Sequence, residues 1–141
     1  MPDPFDLERF IAAQDHGGTY TRAVAELRRG SKTTHWMWFV FPQVAGLGMS
    51  EVSRRYAIGS LDEARAYLEH PVLGPRLLEC AALVRDAQPA RAEQIFGSID
   101  TQKLRSSMTL FLRAAPDEPV FQAVLERYFD GQPDPATDAR V

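Results

Sequence analysis

The sequence has a single cysteine, Cys80, among its 141 residues. One cysteine excludes an intramolecular disulfide and argues against a cysteine-based metal site. Its neighbours Leu77, Leu78, Ala81 and Ala82 are apolar, which predicts a buried side chain rather than a nucleophile. This cysteine usage is typical of a reducing compartment and favours a cytoplasmic location.

Long apolar runs and a strong charge excess are absent too. No run approaches the ~20 residues that span a bilayer, so we expect no membrane association. The acidic, proline-bearing segment 1–6 is unlike a secretory signal. The net charge of −3 gives no reason to expect a nucleic-acid partner, because phosphate neutralisation favours a basic surface.

Strong catalytic motifs are also missing. The sequence contains no phosphate-binding loop of the Gly-rich Lys-Ser/Thr type, no dinucleotide-binding glycine fingerprint and no His-Glu-x-x-His pair. The histidines His16, His35 and His70 are scattered without ligand spacing. We therefore expect neither a metal nor a cofactor.

Helical periodicity is what the sequence has in abundance. Apolar residues recur at helical spacing between short Gly/Pro loops, which predicts one all-α domain over 1–141 with about seven or eight short helices. Expected boundary signals are Asp3 and Asp100 as caps, a capping box from Ser60 to Glu63, and a stop at Gly97. The expected helices cover about 4–14, 19–29, 33–41, a short stretch from 50, 60–70, 74–87, 91–96, 101–113 and 120–129, with a last turn from 134.

The densest aromatic cluster, which includes both tryptophans, lies between His35 and Gln43. Periodicity alone leaves this run open between a buried strand and a helix. We favour the helix, because no second strand is evident to satisfy the backbone of a lone strand. Apolar side chains with polar residues at both ends are typical of a pocket wall and also of an ordinary core segment.

Residues 100–108 are the second candidate for chemistry. On a helix Lys103, Ser106 and Ser107 share one face, away from the apolar stripe that includes Leu104 and Met108. This face could bind a phosphate or a sugar. Spacing alone favours a different interpretation, in which Lys103 pairs with Asp100 on the surface and the small residues allow close helix packing.

Two further side chains have both a functional and a structural interpretation. His35 could act as a general base at neutral pH, although a histidine beside aromatics is more often a hydrogen-bonded core residue. Tyr56 could stack on a ligand or belong to the core.

The motifs of this chain resemble those of the bacterial domain-of-unknown-function family 1810, sometimes labelled calpastatin. They extend over about 5–138 and include Trp-x-Trp-Phe-x-Phe-Pro-Gln at 36–43, Gly-Leu-Gly at 46–48, Arg-Tyr-Ala-Ile at 55–58, His-Pro-Val-Leu-Gly-Pro-Arg-Leu at 70–77 and Lys-Leu-Arg-Ser-Ser-Met-Thr-Leu-Phe at 103–111. The resemblance implies an all-α fold and no assigned activity. The calpastatin label carries little weight, because calpastatin is largely disordered and repetitive.

Two hypotheses follow. In the first, the chain binds or hydrolyses a phosphorylated or ribosylated small molecule. His35 carries the proton, and the ligand contacts come from Trp36, Trp38, Gln43, Tyr56, Lys103, Ser106 and Ser107. It predicts that these residues converge on one cleft. In the second, the chain is a non-catalytic interaction module, for example a homodimer, and displays an exposed apolar patch.

Overall fold

The computed structural model describes residues 3–141, of which 65% are helical and none forms a strand. The all-α prediction is confirmed. In chain order the helices are α1 (Glu8–Asp15), α2 (Thr19–Arg29), α3 (Met37–Val40), α4 (Glu51–Arg55), α5 (Leu61–Glu69), α6 (Leu73–Arg85), α7 (Ala92–Ala114), α8 (Pro119–Phe129) and α9 (Pro135–Asp138). A 3₁₀ turn, His16–Gly18, joins α1 to α2.

Helix α7 lies at the centre of the bundle. Helices α5, α8 and α9 pack against it, and α6 lies against α5 and α8. Its predicted stripe is completely buried at Leu104, Met108 and Phe111. The rings of Tyr67 and Phe121 flank Phe111 at centroid distances of 5.4 and 5.8 Å. On the other side of the bundle α2 packs on α6, and α1 packs on α2 and α3.

The lone cysteine lies inside this bundle, as its neighbours predict. Cys80 is 0% exposed on α6. Burial raises the pKa of its thiol to about 12, which removes the thiolate that a nucleophile would need. Within residues 3–141, none of the helices combines the length and the hydropathy that a membrane span requires.

The aromatic run departs from the predicted helix over 33–41. Only the single turn α3 is helical, because the backbone N–H groups of Thr33 and Thr34 both donate to the Glu26 carboxylate. These bonds hold the chain outside the helical conformation until Trp36. The run ends at Phe41 and Pro42, as predicted.

The start of α1 also differs from the predicted residue 4. Asp6 has a φ of 52°, which lies outside the right-handed helix, so α1 begins at Glu8. The expected capping side chain still acts, since the Asp3 carboxylate accepts from the N–H groups of Leu7 and Glu8. The prediction was right about the cap and wrong about the first helical residue.

Helix α7 replaces the two helices expected over 91–96 and 101–113. Gly97 leaves the helical conformation, with φ 78° and ψ 172°, so the predicted interruption is there, but the helix resumes at once. Asp100 therefore lies within α7 rather than at its cap. Its carboxylate pairs with Lys32 at 2.8 Å and with Lys103 at 3.6 Å.

The capping box predicted at Ser60 is half formed. The Ser60 hydroxyl accepts from the N–H of Glu63, as expected. The Glu63 carboxylate accepts from the N–H of Gly59 instead of Ser60, and its other oxygen pairs with Arg9 at 2.8 Å. One glutamate thus ties the start of α5 to α1.

Candidate functional site

The turn of α3 divides the aromatic run into a buried side and a half-buried side. Side chains one turn apart share a face, so four residues of the run point into the core while two do not. Trp38 and Phe39 are the half-buried pair. The run therefore packs in the core with one side and can line a cleft with the other. The buried residues are Trp36, Met37, Val40 and Phe41.

Glu26 holds the N-terminal end of this run. Its carboxylate, 3% exposed, accepts from the backbone of Thr33 and Thr34, from the Thr34 hydroxyl at 2.6 Å and from the Trp36 indole at 3.0 Å. Burial opposes ionisation, but these hydrogen bonds outweigh it and lower the pKa of Glu26 to about 2. Trp36 is thus completely buried and tied to a carboxylate, and it lines no cleft described below.

Gln14 holds the other end. Its amide donates to the Phe39 carbonyl at 2.8 Å and to the Tyr67 hydroxyl at 3.2 Å, while its carbonyl accepts from Arg76 at 3.1 Å. A buried amide with donors and acceptors all engaged fixes the backbone beside it. The position of the Phe39 ring is set in this way.

Phe39 faces a cleft of about 430 Å³, which we call the histidine cleft. Its volume lies in the range of small-molecule pockets. Neither Asp nor Glu is among its lining residues, and its basic side chains are two arginines and two histidines. The lining residues are Arg9, Ala12, Ala13, His16, Thr19, His35, Phe39, Arg55 and Tyr56.

The two arginines of the histidine cleft differ in what they bind. The Arg9 guanidinium donates to four carbonyls, including those of Arg55 and Ala57, and pairs with Glu63. Arg9 is therefore a structural clamp between α1 and the loop before α5. The Arg55 guanidinium makes no ion pair within residues 3–141 and lies 5.6 Å from the centre of the Tyr56 ring.

The beginning of α2 adds a further positive contribution. Thr19, its first residue, lines the histidine cleft, and no side chain caps the helix there, since the N-cap is Gly18. The N-terminus of a helix carries a partial positive charge. The Phe39 and Tyr56 rings, edge to face at 5.3 Å, supply an aromatic surface beside these positive groups.

Trp38 faces a smaller cavity of about 120 Å³, which we call the Trp38 cavity. A parallel bridge forms one side, where the Ala45 N–H donates to Ile58 and the Ile58 N–H donates to Gln43, both at 2.8 Å. Ile58 lies beyond the short helix predicted from 50, because that helix, α4, ends at Arg55. Trp38, Gln43, Gly46, Gly48, Ser53 and Tyr56 are among the lining residues.

Each of the two glycines of this loop is required by a different close contact. Gly46 has a φ of 97°, and a Cβ there would collide with the Arg140 guanidinium. A Cβ at Gly48 would collide with the Ser53 side chain. The Gly-Leu-Gly motif thus allows two close approaches of side chains to the backbone.

A groove of about 400 Å³, the Lys103 groove, adjoins the Trp38 cavity and shares Gln43, Gly48 and Ser53 with it. The Lys103 ammonium lies 4.8 Å from the centre of the Trp38 ring. Lys103 and Ser106 line this groove, as do Leu47, Ile99 and Asp134.

The predicted Lys103 face is divided in the structure. The Lys103 ammonium pairs with Asp100, which agrees with the surface pair that spacing favoured. The Ser106 hydroxyl donates to the Asp134 carboxylate at 2.9 Å. Ser107 is 0% exposed, and its hydroxyl has no hydrogen-bond partner within residues 3–141. Ser107 thus belongs to the interior.

The predicted site residues do not converge on one cleft. His35 and Tyr56 line the histidine cleft. Trp38, Gln43 and Tyr56 line the Trp38 cavity, and Gln43, Lys103 and Ser106 line the Lys103 groove. His35 lines the histidine cleft but not the Lys103 groove, and Lys103 lines the groove but not the cleft. Among the predicted residues, Tyr56 and Gln43 each line two neighbouring clefts.

Sequence reasoning missed His16, Thr19 and Phe39 as cleft residues. His16 was set aside for lack of ligand spacing, and no local pattern connects it with His35 nineteen positions away. Only the packing of α1 on α2 and α3 brings these residues to one opening.

Three of the four large apolar side chains exposed within residues 3–141 lie in the lining of the Lys103 groove or next to it in sequence. Ile99, 73% exposed, lines it, while Met49 and Val52, at 76% and 40%, adjoin the lining residues Gly48 and Ser53. This is the kind of patch that the interaction hypothesis predicts.

Within residues 3–141 no three His, Cys, Asp or Glu side chains are grouped to hold a metal.

Comparisons with known proteins extend the resemblance seen in the motifs. Residues 4–141 match the family described as Protein of unknown function (DUF1810). The structure is similar to the crystal structure of the conserved hypothetical protein Rv1873 from Mycobacterium tuberculosis. The two share 53% sequence identity and a TM-score of 0.94, and the match covers 97% of this chain and 96% of that one. A search of curated proteins finds no match. The chain belongs to the DUF1810 family.

Proposed function

We propose that the protein binds a small phosphorylated molecule in the histidine cleft. The observation that carries this proposal is the lining of the cleft, which includes Arg9, His16, His35 and Arg55 but neither Asp nor Glu. Arg9 is already paired with Glu63, so His16, His35 and Arg55 are the bases left for a ligand in a chain whose net charge is −3. Such a site favours an anionic ligand.

The groups present match the needs of a phosphate. The Arg55 guanidinium has no ion pair within the described residues and can donate to two phosphate oxygens at once. The start of α2 at Thr19 favours negative charge beside it. The Phe39 and Tyr56 rings can contact an apolar or ring portion of the same ligand.

The Lys103 groove is a weaker anion site than the sequence suggested. The charge of Lys103 is already opposed by Asp100, and Asp134 adds a carboxylate to the groove lining. An anion there would meet a compensated cation and a like charge. Of the predicted residues, His35 and Tyr56 line the histidine cleft and stay in the proposal as ligand contacts.

A thermal-shift comparison tests the proposal with ribose 5-phosphate and glucose 6-phosphate, each beside its parent sugar. We expect a sugar phosphate to raise the Tm while its parent sugar does not. Saturation at about 100 times Kd adds roughly 2.7 kcal/mol, which corresponds to a shift of about 5–10 °C in a domain of this size.

Two adjacent arginines provide the matched control. Arg55 lines the histidine cleft, whereas Arg54 lines the Trp38 cavity. We expect Arg55→Gln to abolish the shift and Arg54→Gln to retain it. A shift that survives Arg55→Gln and His35→Gln, or one that the parent sugars also produce, would contradict the proposal.

A second function, protein interaction, is favoured by the exposed Ile99 and Met49 beside the Lys103 groove. The simplest form is a homodimer, in which the same patch on two copies is buried. Sedimentation over a range of concentrations measures the oligomeric state. Dimers that Ile99→Asp dissociates would support this function, and monomers at all concentrations would contradict it.

A further inference from the structure

The Trp38 cavity has the size of one small ring system. It measures about 120 Å³. An engineered cavity of about 150 Å³ in another protein accepts benzene, which sets the scale. Unlike that cavity, this one has polar groups along its wall.

One uncharged side chain of the Trp38 cavity lacks a protein partner within the described part of the chain. The Gln43 carboxamide, half-buried, makes no hydrogen bond to any of residues 3–141. The backbone groups of Gly48, which is also half-buried, likewise make none within that range. Polar groups near a protein interior normally find partners. Donors and acceptors left open beside a cavity are suited to a ligand that supplies them.

The other walls favour a flat, neutral ligand. Trp38 and Tyr56 line the cavity with aromatic rings, and Arg54 is the one charged residue among those that line it. The Lys103 ammonium over the Trp38 ring and the hydrogen bonds that hold the segment on both sides keep that wall in place.

We propose that the Trp38 cavity binds a nucleobase. A glutamine carboxamide presents a donor next to an acceptor, the pair that reads the edge of adenine in other complexes. Gln43 would bind that edge while Trp38 contacts the ring. This site is separate from the proposed phosphate site and does not depend on it.

Tryptophan fluorescence tests the inference. The chain has two tryptophans, of which Trp36 is 0% exposed and Trp38 lines the cavity. We expect saturable quenching when adenosine, guanosine, cytidine or uridine is titrated, with at least one reaching half-saturation below 1 mM, a weak affinity of about −4 kcal/mol. In Trp38→Phe the remaining emission should not respond.

Two glutamines give the matched controls. Gln43 lines the cavity, whereas Gln102 lines only the adjoining Lys103 groove. We expect Gln43→Ala to weaken nucleoside binding at least tenfold and Gln102→Ala to leave it within twofold. No quenching by any nucleoside, or equal losses in both variants, would overturn the inference. Arg55→Gln should leave nucleoside affinity unchanged, so failure of the phosphate site and failure of this one are distinguishable.

Discussion

At the scale of single residues, buried polar groups decide how the aromatic run is held. Glu26 accepts four hydrogen bonds from the segment that precedes α3. The Gln14 carboxamide is hydrogen-bonded at both its nitrogen and its oxygen, with Phe39, Tyr67 and Arg76 as partners. An ionised carboxylate that accepts several hydrogen bonds stabilises the fold more than its protonated form does. The free energy of unfolding should therefore fall as the pH is lowered through a defined acidic range.

The pKa of Glu26 lies at about 2, below its ordinary value of 4.5. A lowered folded-state pKa gives stability that is present above pH 4.5 and is lost as the pH falls through 2. We expect Glu26→Gln to be destabilised by about 3 kcal/mol at pH 7 and to approach the wild type near pH 2. Urea unfolding at several pH values measures this. A difference that stays constant with pH would contradict the account.

Ser106 and Ser107 are neighbours with opposite roles. Ser106→Ala removes the hydrogen bond to Asp134, so we expect a loss of about 1 kcal/mol. Ser107→Ala removes a buried hydroxyl that has no partner within residues 3–141, so stability should be unchanged or rise by about 1 kcal/mol. Urea unfolding of both variants checks this contrast. A larger loss at Ser107 than at Ser106 would contradict the placement of these side chains.

At the scale of elements, caps and apolar stripes could be predicted, but long-range backbone bonds could not. Ser60 and the stripe through Leu104 follow local rules, and both are found in the structure. The predicted helix over 33–41 failed because Glu26, on another helix, takes the backbone N–H groups of Thr33 and Thr34. No residue within the aromatic run indicates that Glu26 will bind these N–H groups.

Gly97 is a point where helix propensity and structure predict opposite outcomes. Propensity alone expects Gly97→Ala within α7 to stabilise by up to about 1 kcal/mol. The backbone at φ 78° and ψ 172° is nearly forbidden to other residues, so we expect a loss of about 1–3 kcal/mol. No atom lies within 4 Å of an added Cβ, so the cost is purely conformational. Chemical denaturation beside Ser98→Ala, expected to change little, measures it, and stabilisation by Gly97→Ala would contradict it.

At the scale of the whole molecule, one helical turn separates two clefts, each with a proposed ligand. Because α3 turns Trp38 and Phe39 outward, the first lines the Trp38 cavity and the second the histidine cleft, with Tyr56 between them. The sequence predicted His35 and Tyr56 as candidates, but it grouped His35 with Lys103. His16 joins His35 through the packing of α1 with α2 and α3, and Arg55 is tied to α1 by the hydrogen bond from Arg9 to its carbonyl. Local patterns encode neither contact.

The central claim, a phosphate site in the histidine cleft, is tested most directly by the three histidine side chains of the chain. His16 and His35 line the cleft, whereas His70 accepts backbone hydrogen bonds from Val72 and Leu73 elsewhere. NMR spectra of the imidazole groups, assigned with single His→Gln variants, are recorded at constant pH while ribose 5-phosphate is added. The account predicts saturable shifts for His16 and His35 and none for His70. Unchanged signals from His16 and His35, or equal shifts from all three, would contradict it.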